Sequence, residues 1–287
     1  MASGGRHEKI DDVRTRAAIP FFVVLIGSAQ VRELRPGFNI FTPEQDVEMG
    51  KEAGKEIERT KPLLHNDEVT GYLTRIGSRL ASSHHAGQFP FRFHVIKDKA
   101  VNAFAFPGGP VYVNTGLLAA VDNETELAGV LALEMSHVAL RHGTHQATKS
   151  IPVAAAAAFF GAMIGDDSTL AKLGQLGINF GAQSMLLRYS RESESEADLN
   201  GARIMNDAGY NPMGMARFFE KLQAEGTQPS GVAAFLSDHP SPGNRVENVE
   251  QEIRSLPHGS YREMDPREFE RMKRIVGHLS PSSGDAR

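Results

Sequence analysis

Leu133-Glu134-Met135-Ser136-His137, inside the apolar stretch 124–149, is the segment on which the reading of this chain turns. Leu127, Val130, Leu131, Val138 and Leu140 recur at roughly helical spacing, so the stretch is predicted to be helix. Residues four apart on a helix lie one above the other. Two histidines at that spacing, with a glutamate after the first, form H-E-x-x-H, which grips one zinc ion and aims the glutamate at a water as general base. Here Glu134 and His137 stand in their places, and Leu133 occupies the position of the first histidine. Alone, an E-x-x-H in an apolar helix reads more simply as a buried core histidine.

Other segments change that balance. Ser190-Arg191-Glu192-Ser193-Glu194-Ser195-Glu196-Ala197-Asp198 opens a second helix with Glu194 and Asp198 one turn apart. Catalytic zinc sites often take a carboxylate as third ligand and leave the fourth position to water. Asp238-His239-Pro240 is followed by Arg245. Upstream, residues 101–106 and 110–114 read as two short strands about a Gly108-Gly109 turn.

In chain order the sequence carries N-A-F, G-G-x-x-Y-V-N-T-G-L-L, E-x-S-H-x-x-x-R-H, S-R-x-x-E-x-E-A-D, A-G-Y-x-P and D-H-P-x-x-x-x-R. Each piece is weak; the ordered set is specific. It resembles the gluzincin zinc metallopeptidases of the CAAX prenyl protease and HtpX type, and most closely their soluble periplasmic, BepA-like members, from about residue 41 to 256. The resemblance implies a role for each matching residue. Glu134 is the general base, His137 and Glu194 are zinc ligands, and Asp198 is a carboxylate behind them. Asn102, Ala103 and Phe104 hold extended substrate by strand addition. His239 and Arg245 face the metal from a loop, gating it or steadying the transition state. It further implies Zn²⁺ as cofactor and a metalloendopeptidase activity on misfolded or misassembled envelope proteins, with unfolded chains and the envelope assembly machinery as partners. His142 matches the family's R-H pair and is expected to cap or support rather than ligate; His84 and His85 read as solvated loop.

Leu133 departs from this pattern. A closed four-ligand zinc site is worth about 10–16 kcal/mol, so one ligand is worth about 3 kcal/mol, roughly a hundredfold in affinity. Three readings stand. The chain is a pseudopeptidase that binds peptides or partners in a chaperone-like or assembly role; or His239 substitutes as ligand beside His137 and Glu194; or Leu133 is a recent change on an intact scaffold, since histidine and leucine codons can differ by one base.

Composition narrows the rest. The 287 residues, 40% hydrophobic, suffice for one sizeable core. A net charge of −4 without a basic block argues against nucleic acid as a partner. With no cysteine, disulfides, thiol catalysis, cysteine-ligated zinc and a lipidated N-terminal cysteine are excluded. Arg6, Lys9, Arg14 and Arg16 precede an apolar run at 17–29 that ends Gly27-Ser28-Ala29, the outline of a signal peptide. An amphipathic or buried N-terminal helix is the alternative. The run is short for a bilayer, which takes about 20 residues. A second apolar run, 153–164, suits the core or a lid, with peripheral membrane contact as the alternative. The expected location is periplasmic or exported, with membrane association as the alternative.

The expected fold is α+β: a mostly helical zincin-like domain with a small three-stranded sheet whose edge lines the groove. Segment 1–29 is set apart as the leader, 30–258 as the peptidase-like domain, 259–279 as a C-terminal helix and 280–287 as a disordered tail. Thr42-Pro43-Glu44-Gln45 marks a helix start by its capping box, and further helices are expected at 67–82, 153–164, 170–187, 193–208, 212–224, 243–255 and 265–277.

Overall fold

A computed structural model describes residues 1, 33–150, 189–225, 233–240, 243–257 and 260–279. The leader-like run 17–29, the apolar run 153–164, the helix expected at 170–187 and the tail 280–287 lie outside the described residues. Thr42 does cap α1 (Pro43–Thr60): its hydroxyl accepts from the Gln45 amide while the Gln45 side chain accepts from the Thr42 amide. Helix α2 (Asp67–Leu80) starts at Asn66, whose side chain accepts from Val69 N–H. A single 3-10 turn, His84–Ala86, leads into the sheet.

Strands β1 (Arg92–Ile96), β2 (Ala103–Ala105) and β3 (Pro110–Asn114) form a mixed sheet in the order β1-β3-β2. β1 runs parallel to β3 and β2 antiparallel to it, with Phe104 opposite Tyr112. The β2–β3 turn rests on Gly108 (φ 77°) and Gly109 (φ 124°), conformations that side-chain-bearing residues rarely adopt. β2 is therefore an edge strand, and it packs on the helix that carries Glu134 and His137.

That helix, α4 (Glu124–Ala139), follows the short α3 (Thr115–Ala120) and is capped by Asn123. The sequence pattern predicts one helix over 124–149; instead the chain breaks after Leu140 and resumes as α5 (His142–Ser150). Arg141 at the break adopts φ 56°. Its guanidinium donates to both oxygens of buried Asp46, at 2.6 and 3.0 Å, and to the Phe41 carbonyl, so tertiary contacts override helical periodicity.

Ser190 caps α6 (Arg191–Asp207), which stops at Gly209 in a left-handed conformation. Then come α7 (Met213–Glu225), α8 (Ala233–Asp238), α9 (Arg245–Ser255) and α10 (Pro266–Leu279). The short helices α3 and α8 were not foreseen, being too brief to show a helical period. Helix α10 buries Phe269, Met272 and Val276 in the main core. The architecture is thus the expected mostly helical fold with a three-stranded sheet. Among the described residues no helix is long and apolar enough to cross a membrane.

The core is organised round α4, buried along nearly its whole length. It meets α6 and α7 where glycines remove side chains: a Cβ on Gly129 would lie 2.8 Å from Met215 Cα, and one on Gly201 2.6 Å from Met215 Cε. Gly50 of α1 approaches the β2–β3 turn so closely that a Cβ would fall 1.8 Å from the Pro107 carbonyl oxygen, whereas Gly71 of α2 faces open space. Gly50→Ala should therefore destabilise by about 1–3 kcal/mol, and Gly71→Ala should stabilise by about 0.4–1 kcal/mol by stiffening the unfolded chain. Urea denaturation midpoints of the two variants check both signs.

Candidate metal centre

Four elements bring charged side chains into one buried chamber. α4 supplies Glu134 and His137 one turn apart, α6 supplies Glu194 and Asp198, the residue after α8 is His239, and α9 begins with Arg245. None is more than 2% exposed. One donor atom each of His137, Glu194 and His239 can be chosen so that all three lie within 4.8 Å of one another. His239 bridges two carboxylates: its Nδ1 is 3.2 Å from Glu194 Oε1 and its Nε2 3.2 Å from Glu134 Oε1, the latter without hydrogen-bond geometry. His137 Nε2 sits 3.5 Å from Glu194 Oε1.

Polar atoms left without a hydrogen bond point to what belongs there. His137 Nε2, Glu194 Oε2 and both Glu134 carboxylate oxygens are buried and unsatisfied. Buried polar groups are ordinarily paired, and an unmet cluster of one imidazole and two carboxylates calls for an ion or water. Imidazole nitrogen and carboxylate oxygen are the donor types zinc takes. The residues present therefore fit a zinc ion held by His137, Glu194 and His239. Leu133, fully buried, belongs to the apolar core and offers no donor.

A supporting layer surrounds these groups. Arg245 grips Asp198 in a bidentate pair, at 2.8 and 2.5 Å, reaches Glu194 Oε2 at 3.3 Å and lies over the Phe219 ring. His142 places its Nδ1 3.0 Å from His137 Nδ1, which fixes the ring and turns Nε2 inward. The Tyr189 ring stacks on His137 at 3.9 Å. The Asn102 amide donates to Asp238 Oδ2 at 2.8 Å, tying the residue before β2 to the last residue of α8, next to His239. Ala103 is fully buried and Phe104 stacks on Tyr112, so it is the backbone of β2 that forms the edge.

Burial sets the protonation states. It drives the His137 pKa well below the ordinary range, helped by His142 and His239, and so favours the neutral, metal-ligating form. It raises Glu134, with His239 pulling the other way, and lifts Asp198 to about 6 against the opposing pull of Arg245. Burial also opposes charge on His239, but Glu194 and Glu134 outweigh it and hold its pKa well above the ordinary range.

The sequence-expected residues Glu134, His137, Glu194, Asp198, His239 and Arg245 thus meet in one place. Arg245 differs in detail: its guanidinium is spent on the two carboxylates of α6. Three contributors carried no assigned role in the sequence reading. Tyr189 is an isolated aromatic just before a cap; Asp238 and Phe219 act across distances no local pattern reveals.

A helix with E-x-x-H, a second with a glutamate one turn before an aspartate, and a buried His-Glu-His donor set define a zincin-type metallopeptidase domain. The chain belongs to peptidase family M48, whose family model matches residues 67–253. It is 31% identical over 206 residues to the beta-barrel assembly-enhancing protease of Escherichia coli (strain K12), covering 70% of this chain and 42% of that one. It is 32% identical over 222 residues to the mitochondrial metalloendopeptidase OMA1 of Schizosaccharomyces pombe, covering 76% and 64%. It is 34% identical over 190 residues to the metalloprotease LoiP of Escherichia coli (strain K12), covering 64% and 70%. The chain spans less than half the length of the beta-barrel assembly-enhancing proteases it matches.

Two outcomes follow from the electrostatics. Arg245→Ala strands two buried carboxylates and should destabilise the protein by about 3–5 kcal/mol, measured by urea unfolding. The raised His239 pKa gives a second. Its contribution to stability is complete below the ordinary histidine value of 6.5 and is lost as pH rises through its folded-state pKa. In metal-free protein the unfolding free-energy difference between wild type and His239→Gln should therefore be larger at about pH 6 than at about pH 9.

Proposed function

We propose that this chain is a zinc-dependent metalloendopeptidase-type protein that acts on misfolded or misassembled envelope proteins, with turnover held low by Leu133. The convergence of His137, Glu194 and His239 beside Glu134, in a chamber with unsatisfied donors, carries the reading. His137, Glu194 and His239 would hold the metal. Zinc, when bound, supplies Lewis-acid polarisation of the scissile carbonyl and makes a water more acidic. Glu134 takes the proton from the attacking water and passes it to the leaving amine. Asp198 and Arg245 keep Glu194 in position, and His142 and Tyr189 keep His137 in position. A substrate segment adds as a strand along the backbone of 102–104, so side-chain sequence matters less than extended conformation. The names of relatives matched at 28–31% identity, beta-barrel assembly-enhancing proteases, support envelope substrates. The likeness to periplasmic members and the leader-like run 17–29 support an exported location.

One observation favours a second reading, a peptide-binding protein without turnover. His239 lies 3.2 Å from both Glu134 and Glu194, in the space the reacting groups need. As a permanent ligand it would stand between Glu134 and Glu194, where water and substrate must meet.

Zinc content and cleavage of casein, measured for wild type and Leu133→His, separate these readings. The proposal expects close to one zinc per chain in wild type, zinc held roughly a hundredfold more tightly in Leu133→His, the worth of one restored ligand, and a large gain of casein cleavage in that variant. A zinc-loaded Leu133→His that leaves casein intact while the protein still binds unfolded chains would establish the binding reading. Wild-type protein free of zinc would remove His239 as the substitute ligand.

A further inference from the structure

A second donor cluster lies away from the chamber, on the turn before β1. His84, His85 and Asp207 can present one ligand atom each, all within 4.8 Å of one another. His84 and His85 are adjacent in the 3-10 turn His84–Ala86, and Asp207 is the last residue of α6. His84 Nδ1 stands 3.2 Å from Asp207 Oδ2, and the two imidazole rings lie with centroids 3.9 Å apart, tilted by 38°.

The cluster is built rather than incidental. Ser83, 5% exposed, sits beneath it and serves both sides. Its hydroxyl donates to Asp207 Oδ2 at 2.7 Å and accepts the His85 backbone N–H at 3.1 Å. Asn200 of α6 donates to the His85 carbonyl at 3.0 Å and to Ser136 Oγ at 3.2 Å, so the turn is strapped to α6 and α4. The turn and the end of α6 are thereby held in register before any ion arrives, and a second hydrogen bond that fixes a ligand's orientation is what metal sites use to raise affinity. A tetrahedral ion with ligands at about 2.0–2.1 Å needs donors about 3.4 Å apart, and His84 Nδ1 and Asp207 Oδ2 stand 3.2 Å apart. Two imidazoles and one carboxylate suit zinc and its neighbours, not calcium or magnesium, which take oxygen.

We propose that His84, His85 and Asp207 bind a divalent transition-metal ion of the zinc class, clipping the turn before β1 to the C-terminal end of α6. The site is independent of the buried chamber: it shares no ligand with it, and it is reached from solvent, His84 being exposed. α6 carries Glu194 and Asp198 nearer its other end, so the clip fastens the same helix that supplies the chamber's carboxylates.

The test is titration of metal-stripped full-length chain with Zn²⁺ by calorimetry, together with the thermal midpoint with and without Zn²⁺. The variants are His84→Ala, Asp207→Asn, Ser83→Ala and Glu194→Gln. The proposal expects Glu194→Gln to keep one class of Zn²⁺ site and its thermal shift. In His84→Ala and Asp207→Asn that class should weaken roughly a hundredfold, as for loss of one ligand. Ser83→Ala, which removes no ligand, should weaken it about tenfold. Far-ultraviolet circular dichroism of the metal-free variants checks folding, and His84→Ala, at an exposed position, remains decisive if Asp207→Asn is disturbed. Unchanged Zn²⁺ binding in His84→Ala overturns the proposal and leaves the buried centre untouched. Zn²⁺ binding lost only in Glu194→Gln does the same. Zn²⁺ binding lost only in His84→Ala and Asp207→Asn supports this site and counts against the buried one.

Discussion

Charge taken out of water must be answered nearby, and that requirement governs how this fold is assembled. Glu134, Glu194 and Asp198 are almost completely buried beside His137, His239 and Arg245. None of these groups could be removed from solvent alone without a cost of several kcal/mol. They come from α4, α6, α9 and the residue after α8, so the four segments must arrive together or leave charges stranded. The glycines at 129 and 201 allow α4 to approach its neighbours closely enough for the pairing to close. Packing and electrostatics are thus two views of one constraint.

The same constraint explains why leucine at 133 is compatible with the folded domain. Leucine at that position adds to an apolar core already formed by Leu127, Val130, Leu131 and Met135. The pairs that neutralise the chamber, Arg245 with Asp198 and His239 with the two glutamates, do not pass through it. The ion pairs that hold the four segments together and the side chain at 133 thus belong to different contact networks.

Much of this was legible in the sequence because the signals are local. Thr42 and Gln45 spell a capping box, Gly108-Gly109 a turn and Gly209 a helix stop, each a rule about a few consecutive residues. Glu134 with His137, and Glu194 with Asp198, are spaced by one helical turn, and the order of motifs joined them into one centre. What escaped was decided by contacts between distant segments. Tyr189 on His137, Phe219 under Arg245 and Asp238 with Asn102 leave no periodic trace. Neither does the pairing of the His84-His85 turn with Asp207, 122 positions further on by residue number.

The break at Arg141 is where local preference and tertiary structure disagree. The sequence from 124 to 149 favours one continuous helix, yet the backbone accepts a left-handed residue there at a cost of about 1–2 kcal/mol. Asp46 and the Phe41 carbonyl hold it so. The result is local frustration kept in check by the segment around 41–46. The buried centre therefore owes one of its supports, His142 against His137, to a strap near the start of α1 that fixes the neighbouring Arg141.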